Sequence, residues 1–155
     1  MAEKNYSGKE VQLVVFKLGR EEYGISILQV QEIKKMTDIT RVPHTPDYIK
    51  GVINLRGSVL PVLDLKKRLS LPPQEYTEDT RIIIAKVEEI TVGMIVDAVS
   101  EVMAIPQENI EPPFTAVGGI ATNYISGVGK LENRLLILLN LDSIVGMGQD
   151  ASKAG

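Results

Sequence analysis

Apolar residues recur along the chain in short runs: VQLVVFKL (11–18), EEYGISI (21–27), SVLPVLDL (58–65), TRIIIAKV (80–87), ITVGMIV (90–96) and RLLILLNL (134–141). Each is rich in Val, Ile and Leu and is bounded by polar or Gly/Pro positions, which predicts strands in a β-rich fold. Helices are expected only as short pieces: ILQVQEIKK (27–35), DLKKRLS (64–70) and LDSIVG (141–146), the last with Asp142 as N-cap and Gly146 as stop. On a helix, Ile27, Val30 and Ile33 would share one face and Glu32 would lie elsewhere. Such a stripe either packs into the core or lines a groove for a partner helix.

The same pattern appears twice. Residues 48–69 align without gaps to residues 124–145, with Tyr48, Ile49, Gly51, Val52, Leu55, Leu60, Leu63 and Leu65 recurring as Tyr124, Ile125, Gly127, Val128, Leu131, Leu136, Leu139 and Leu141. A weaker match pairs residues 13–33 with 82–102, including Gly24 with Gly93, Val30 with Val99 and Glu32 with Glu101. The difference in spacing falls in PPFTAVGG (112–119). Two related lobes are expected, at about 10–70 and 80–146 and joined through LPPQEYTED, because two small β units packed together bury what neither could alone. Positions on which the copies agree belong to folding. Gly57 matches Asn133, both suited to positive φ in a tight turn, whereas Arg56 matches Glu132. The turn therefore does not demand a cation, and Arg56 is either a solvated charge or a contact residue.

Composition narrows the classes of function. With 155 residues, 44% hydrophobic and 24% charged, the chain should fold as one compact unit. Its net charge of -3 is spread out, without the basic stripe that binds nucleic acid. There is no cysteine, no apolar run long enough to span a bilayer, and a polar N-terminus, so a cytoplasmic location is expected. The one histidine, His44, lies between prolines and has no second His or Cys with which to form a metal site or a dyad. Asp64 and Asp97 lie in apolar surroundings, and an enzyme could use either with His44. The repeat argues otherwise: Asp64 matches Asn140 and Asp97 matches Leu28. A polar side chain at the Asp64/Asn140 position suits a hydrogen bond to the strand end or a cap on the next helical segment. The glycines in AVGGIATNYISGVGK lack a phosphate-loop setting.

The segments FKLGREEYGISILQVQEI (16–33), TRVPHTPDYIKGVINLRGSVLPVLDL (40–65), VGMIVDAVSEV (92–102) and YISGVGKLENRLLILLNLDSIV (124–145) resemble, in that order, the CheW family of chemotaxis coupling proteins. The resemblance covers roughly residues 10–146 and implies an all-β domain of two similar five-stranded SH3-like barrels around a shared hydrophobic core, with a few short helices. Strands can be exchanged between the lobes, and residues 1–9 and 147–155 are expected to be flexible termini. It implies an adaptor without catalysis, cofactor or metal, which links methyl-accepting chemotaxis receptors to the regulatory domain of the histidine kinase CheA in membrane-associated arrays. No receiver-domain or kinase-domain sequence falls within the 155 residues, so neither a CheV-type arrangement nor CheA itself is expected. Carried over by position, the receptor groove takes Ile27, Val30, Ile33, Arg56 and Val99. The kinase surface takes Glu32 with a strand from Ile39 through Thr40 and Arg41 to Val42. Gly51 and Gly57 support these surfaces by allowing close backbone approach. A coupling protein of a related, non-flagellar pathway would read the same way.

Overall fold

The computed structural model describes residues 9–113 and 120–146. The expected flexible termini, Lys9 apart, and most of the PPFTAVGG stretch lie outside the described residues.

Among the described residues eleven strands form two sheets, giving two SH3-like barrel lobes around a shared core. The first lobe holds β3 (Val30–Lys35), β4 (Ile49–Leu55), β5 (Ser58–Asp64), β6 (Arg81–Val87) and β7 (Ile90–Val96), in the order β3-β6-β7-β5-β4. The second holds β1 (Glu10–Leu18), β2 (Glu21–Ser26), β8 (Ala98–Pro106), the two-residue β9 (Ile110–Glu111), β10 (Ile125–Leu131) and β11 (Arg134–Leu139), in the order β8-β1-β2-β11-β10-β9. Each sheet thus includes one hairpin from the other half of the sequence. The registers obey the repeat: Val30 and Glu32 oppose Ala85 and Ile84, as Val99 and Glu101 oppose Phe16 and Val15, with a β-bulge at the same place in both. The parallel joins match too, Val62 to Gly93 and Leu138 to Gly24.

Two expected helices form as single turns. The first, α1 (Leu65–Arg68), is capped by Asp64, which accepts from the Lys67 amide; the second, α2 (Leu141–Ile144), is capped by Asn140, which accepts from Ser143. The cap is therefore Asn140 and not Asp142, which sits in the first turn. The expected helix over 27–35 is not formed. Ile27–Gln29 make a 3₁₀ turn and Val30–Lys35 a strand, because β-branched Val30 and Ile33 pair along β6 and a bulge reproduces the three-residue spacing that resembles a helix. Strands β4, β8, β9 and β10 were not expected, since glycines and polar residues dilute their apolar pattern.

One large apolar cluster, with Phe16, Tyr23, Leu63, Ile83, Met94, Leu139 and Ile144 among its members, is common to both lobes. Each lobe also has its own smaller cluster: Val62, Ile82 and Ile84 in one, Leu13, Val15 and Leu138 in the other. Two cations of α1 tie the lobes together. Arg68 Nε donates to the Ile144 carbonyl at 2.8 Å, and its guanidinium lies 4.4 Å from the Tyr48 ring centre and 5.1 Å from that of the repeat counterpart, Tyr124. Buried Lys66 pairs with Asp97 at 2.9 Å, and Asp97 accepts from the Gly19 amide in the β1–β2 turn at 2.7 Å.

The segment joining the halves packs down through Tyr76, whose hydroxyl donates to Asp64 at 3.4 Å. Burial, with the Asp64 carboxylate adding to it, pushes the Tyr76 phenol up to about 12; burial and Glu21 do the same for Tyr23. A raised pKa favours the protonated, folded form. This stabilisation is complete below the ordinary value of 10.0 and is lost as pH rises through about 12. Denaturant midpoints should fall across that window, and Tyr76→Phe should remove part of the fall. An unchanged pH profile in the variant would show that Tyr76 carries none of it.

Candidate functional site

Strand β3 separates two chemically different surfaces. Ile33 opposes Ile83 and Val30 opposes Ala85, both residues of the shared cluster, whereas Glu32 opposes Ile84 of the first lobe's own cluster. In regular alternation residues three apart would face opposite ways; the bulge between Val30 and Glu32 puts Val30 and Ile33 on the same side. Ile27, Val30 and Val99 are half-buried against the shared cluster, and Ile33 extends that face outward at 39% exposure. The repeat supplies a residue that sequence reasoning missed. Val102 opposes Val14, another residue of the shared cluster, as the counterpart of Ile33, and is 57% exposed. The signal was present in the alignment of residues 13–33 with 82–102, where only Val99 was singled out.

Arg56 is brought together with Glu32 and not with the apolar strip. Its guanidinium donates to both Glu32 carboxylate oxygens, at 3.0 and 3.4 Å, and its side chain stays 71% exposed. The hairpin Leu55–Ser58 has a two-residue tip in which Arg56 (φ 51) and Gly57 (φ 86) are both left-handed, as a type I′ turn requires. Asn54 Oδ1 accepts from the Gly57 amide and fastens this tip. In the twin turn neither Glu132 nor Asn133 has positive φ, contrary to the expectation for Asn133. The Asn54 counterpart there, Lys130, has no acceptor to offer the turn and pairs with Glu111 instead. Left-handed backbone costs an arginine about 1–2 kcal/mol, and an exposed ion pair returns about 0.2–1. The stability of the hairpin does not account for Arg56.

The segment from Ile39 to Val42 is not a strand. It is anchored by one bridge, Thr40 with Val52, through two 2.9 Å backbone hydrogen bonds. Ile39 packs on the first lobe's cluster, while Arg41 and Val42 are exposed. Gly51 makes this anchoring possible, because a Cβ there would overlap the Thr40 carbonyl oxygen and stand 2.8 Å from Ile39 Cγ2. Its counterpart Gly127 meets Ile110 and Glu111 in the same way. Gly57 differs from the expectation of close approach: nothing lies within 4 Å of a Cβ built there, and its need is for positive φ alone.

The groups considered for acid–base chemistry have structural partners. Asp64 caps α1 and accepts from Tyr76, and Asp97 holds Lys66 and the Gly19 turn. Exposed His44 has φ 65 and, with Arg41, Lys50 and Asp64, lines an open cavity of about 400 Å³. Among the described residues no group of three or more His, Cys, Asp or Glu side chains could hold a metal ion, and no helix is long and apolar enough to cross a membrane.

Residues 12–149 match the family of CheW-like domains. The chemotaxis protein CheW of Bacillus subtilis is 42% identical over 134 residues, 86% of this chain and 86% of that protein. The chemotaxis protein CheW of Klebsiella aerogenes is 40% identical over 134 residues, 86% of this chain and 81% of that protein. The crystal structure of the scaffolding protein TtCheW from Thermoanaerobacter tengcongensis superposes with a TM-score of 0.83 at 40% identity, covering 88% of this chain and 92% of that one.

Two stability measurements check the local geometry. In urea titrations Gly51→Ala should lose roughly 3 kcal/mol, since backbone blocks the added methyl, and Gly57→Ala about 1 kcal/mol from conformation alone; equal losses would show that close approach at Gly51 is not the constraint. Arg56→Asn, the residue type favoured in this turn, should leave stability unchanged or raise it by about 1 kcal/mol. A clear loss of stability would mean that Arg56 serves the fold.

Proposed function

The chain belongs to the CheW-like family, and on that premise we propose that it is a non-enzymatic chemotaxis scaffold that couples methyl-accepting receptors to the histidine kinase CheA. It works in the cytoplasm, at membrane receptor arrays. The observation that carries this reading is the two-sidedness of β3, with apolar Val30 and Ile33 on one face and the Glu32–Arg56 pair on the other. A receptor's helical tip would lie on the strip of Ile27, Val30, Ile33 and Val99, extended by Val102, where aliphatic contacts supply affinity. The kinase's regulatory domain would meet Glu32 and the segment Ile39, Thr40, Arg41 and Val42.

Arg56 belongs to the receptor contact and stands where the two surfaces meet. Its guanidinium can hold carbonyl or carboxylate oxygens of the receptor in register, and any such contact competes with Glu32 for the same cation. What one partner does to Arg56 is therefore felt at the other's surface. Gly51 keeps the Thr40 anchor against β4, so the kinase-side segment is held by the lobe that carries Glu32.

The purified protein should bind a CheA regulatory domain and a receptor signalling tip at separate sites, and failure to bind either sinks the proposal. Arg56→Glu should fold and yet lower receptor-dependent kinase autophosphorylation at least several-fold. If activation is unchanged, Arg56 is only a solvated turn residue.

A further inference from the structure

The internal repeat gives each position of one lobe a counterpart in the other, and the two lobes differ in what covers one pair of equivalent surfaces. In the first lobe the segment LPPQEYTED (71–79) is held to β4, β5 and α1 through the side chains of Gln74 and Tyr76. Gln74 Oε1 accepts from Lys66 Nζ at 2.9 Å, Tyr76 donates to Asp64, and Lys50 Nζ lies 5.2 Å from the centre of the Tyr76 ring. The space left among Asp64, Lys66, Tyr76 and Ile95 is about 10 Å³.

The counterparts of Asp64, Lys66, Ile95 and Lys50 are Asn140, Asp142, Ser26 and Ser126, and these four line a cleft of about 320 Å³ in the second lobe. Its apolar walls include Leu13 and Leu138 from that lobe's own cluster. The cleft arises from two changes: serine replaces isoleucine at its edge, and no described residue plays the part of Gln74 and Tyr76. Its volume is in the range of sites that bind ligands.

We propose that this cleft docks an extended segment of another protein, one that presents a basic side chain two residues before a tyrosine. The spacing is that of Gln74 and Tyr76, which in an extended chain point to the same side. The charge follows from Asp142: where Lys66 meets the oxygen of a glutamine, a carboxylate requires a cation. Asn140 Oδ1 is taken by the Ser143 amide, which leaves its side-chain N–H groups to donate to a phenol oxygen. At the offset of the repeat the residues of MGQDASKAG that correspond to Gln74 and Tyr76 are Asp150 and Ser152, neither a cation nor a phenol, so this sequence does not supply the pair.

The test uses the full chain and two synthetic peptides, LPPKEYTED and LPPEEYTED, followed by NMR. The lysine peptide should shift Leu13, Ser126 and Leu138 signals saturably. Asp142→Lys should weaken it by about tenfold or more and should favour the glutamate peptide instead, and Ser26→Ile should block the cleft. The inference is overturned if neither peptide shifts these signals, if Asp142→Lys leaves the preference unchanged, or if signals of residues 147–155 are displaced in step with those of the cleft, which would make the chain's own end the occupant. Receptor and kinase binding are measured separately, so failure here is distinguishable from failure of the scaffold reading.

Discussion

The shared apolar cluster is the constraint on which the rest of the structure depends. A lobe of five or six short strands cannot enclose a sufficient core by itself, and here each lobe's own cluster is small beside the one that both build. The exchange of hairpins makes that sharing obligatory, because β6 and β1 each bury one face in their own lobe and the other between the lobes. Arg68 and Lys66 then fix how the lobes sit, Arg68 by reaching the Ile144 carbonyl and Lys66 by pairing with Asp97, which joins β7 to β8 and holds the β1–β2 turn. The strip of Ile27, Val30 and Val99 lies against this cluster, so its shape follows from how the lobes are packed.

The matching bulges of β3 and β8 give each lobe an apolar face and an acidic one, and in each lobe an arginine holds the glutamate. Arg134 does so from an ordinary strand position, donating to Glu22 at 3.0 and 3.1 Å and to Glu101 at 2.8 Å, and these carboxylates push its guanidinium pKa up still further. Arg56 does so from a left-handed turn. The fold can therefore hold that glutamate without backbone strain, and of the two arginines only Arg56, in the first lobe, sits on left-handed backbone. Strained residues of this kind concentrate at functional sites.

Much of the architecture was legible because the repeat keeps aliphatic residues at strand spacing, and the Asp64 cap was legible because Asp64 and Asn140 occupy matching positions, although Asp142 was expected to cap the last helix. The helix expected over 27–35 failed for a definite reason, since a bulged strand and a helix both return an apolar residue every three positions. Strands β4 and β10 were hidden by Gly51 and Gly127, whose lack of a side chain is what admits the neighbouring segment. The Glu32–Arg56 pair could not be read at all. It joins residues 24 apart through the closure of a barrel, and no local pattern carries that information.

The exchanged hairpins also order events in time. The first lobe has all its strands once Val96 has been made, but β1, synthesised before any of them, pairs with β8, and β2 waits for β11. Contacts this distant in sequence are slow to form. Until Leu138 is available, the outer edge of the first hairpin stays open, with Glu22, Tyr23 and Gly24 lacking their β11 partners. The open edge of β2 thus waits longest for its partner, and it is where a stalled or truncated product would expose surface prone to aggregation.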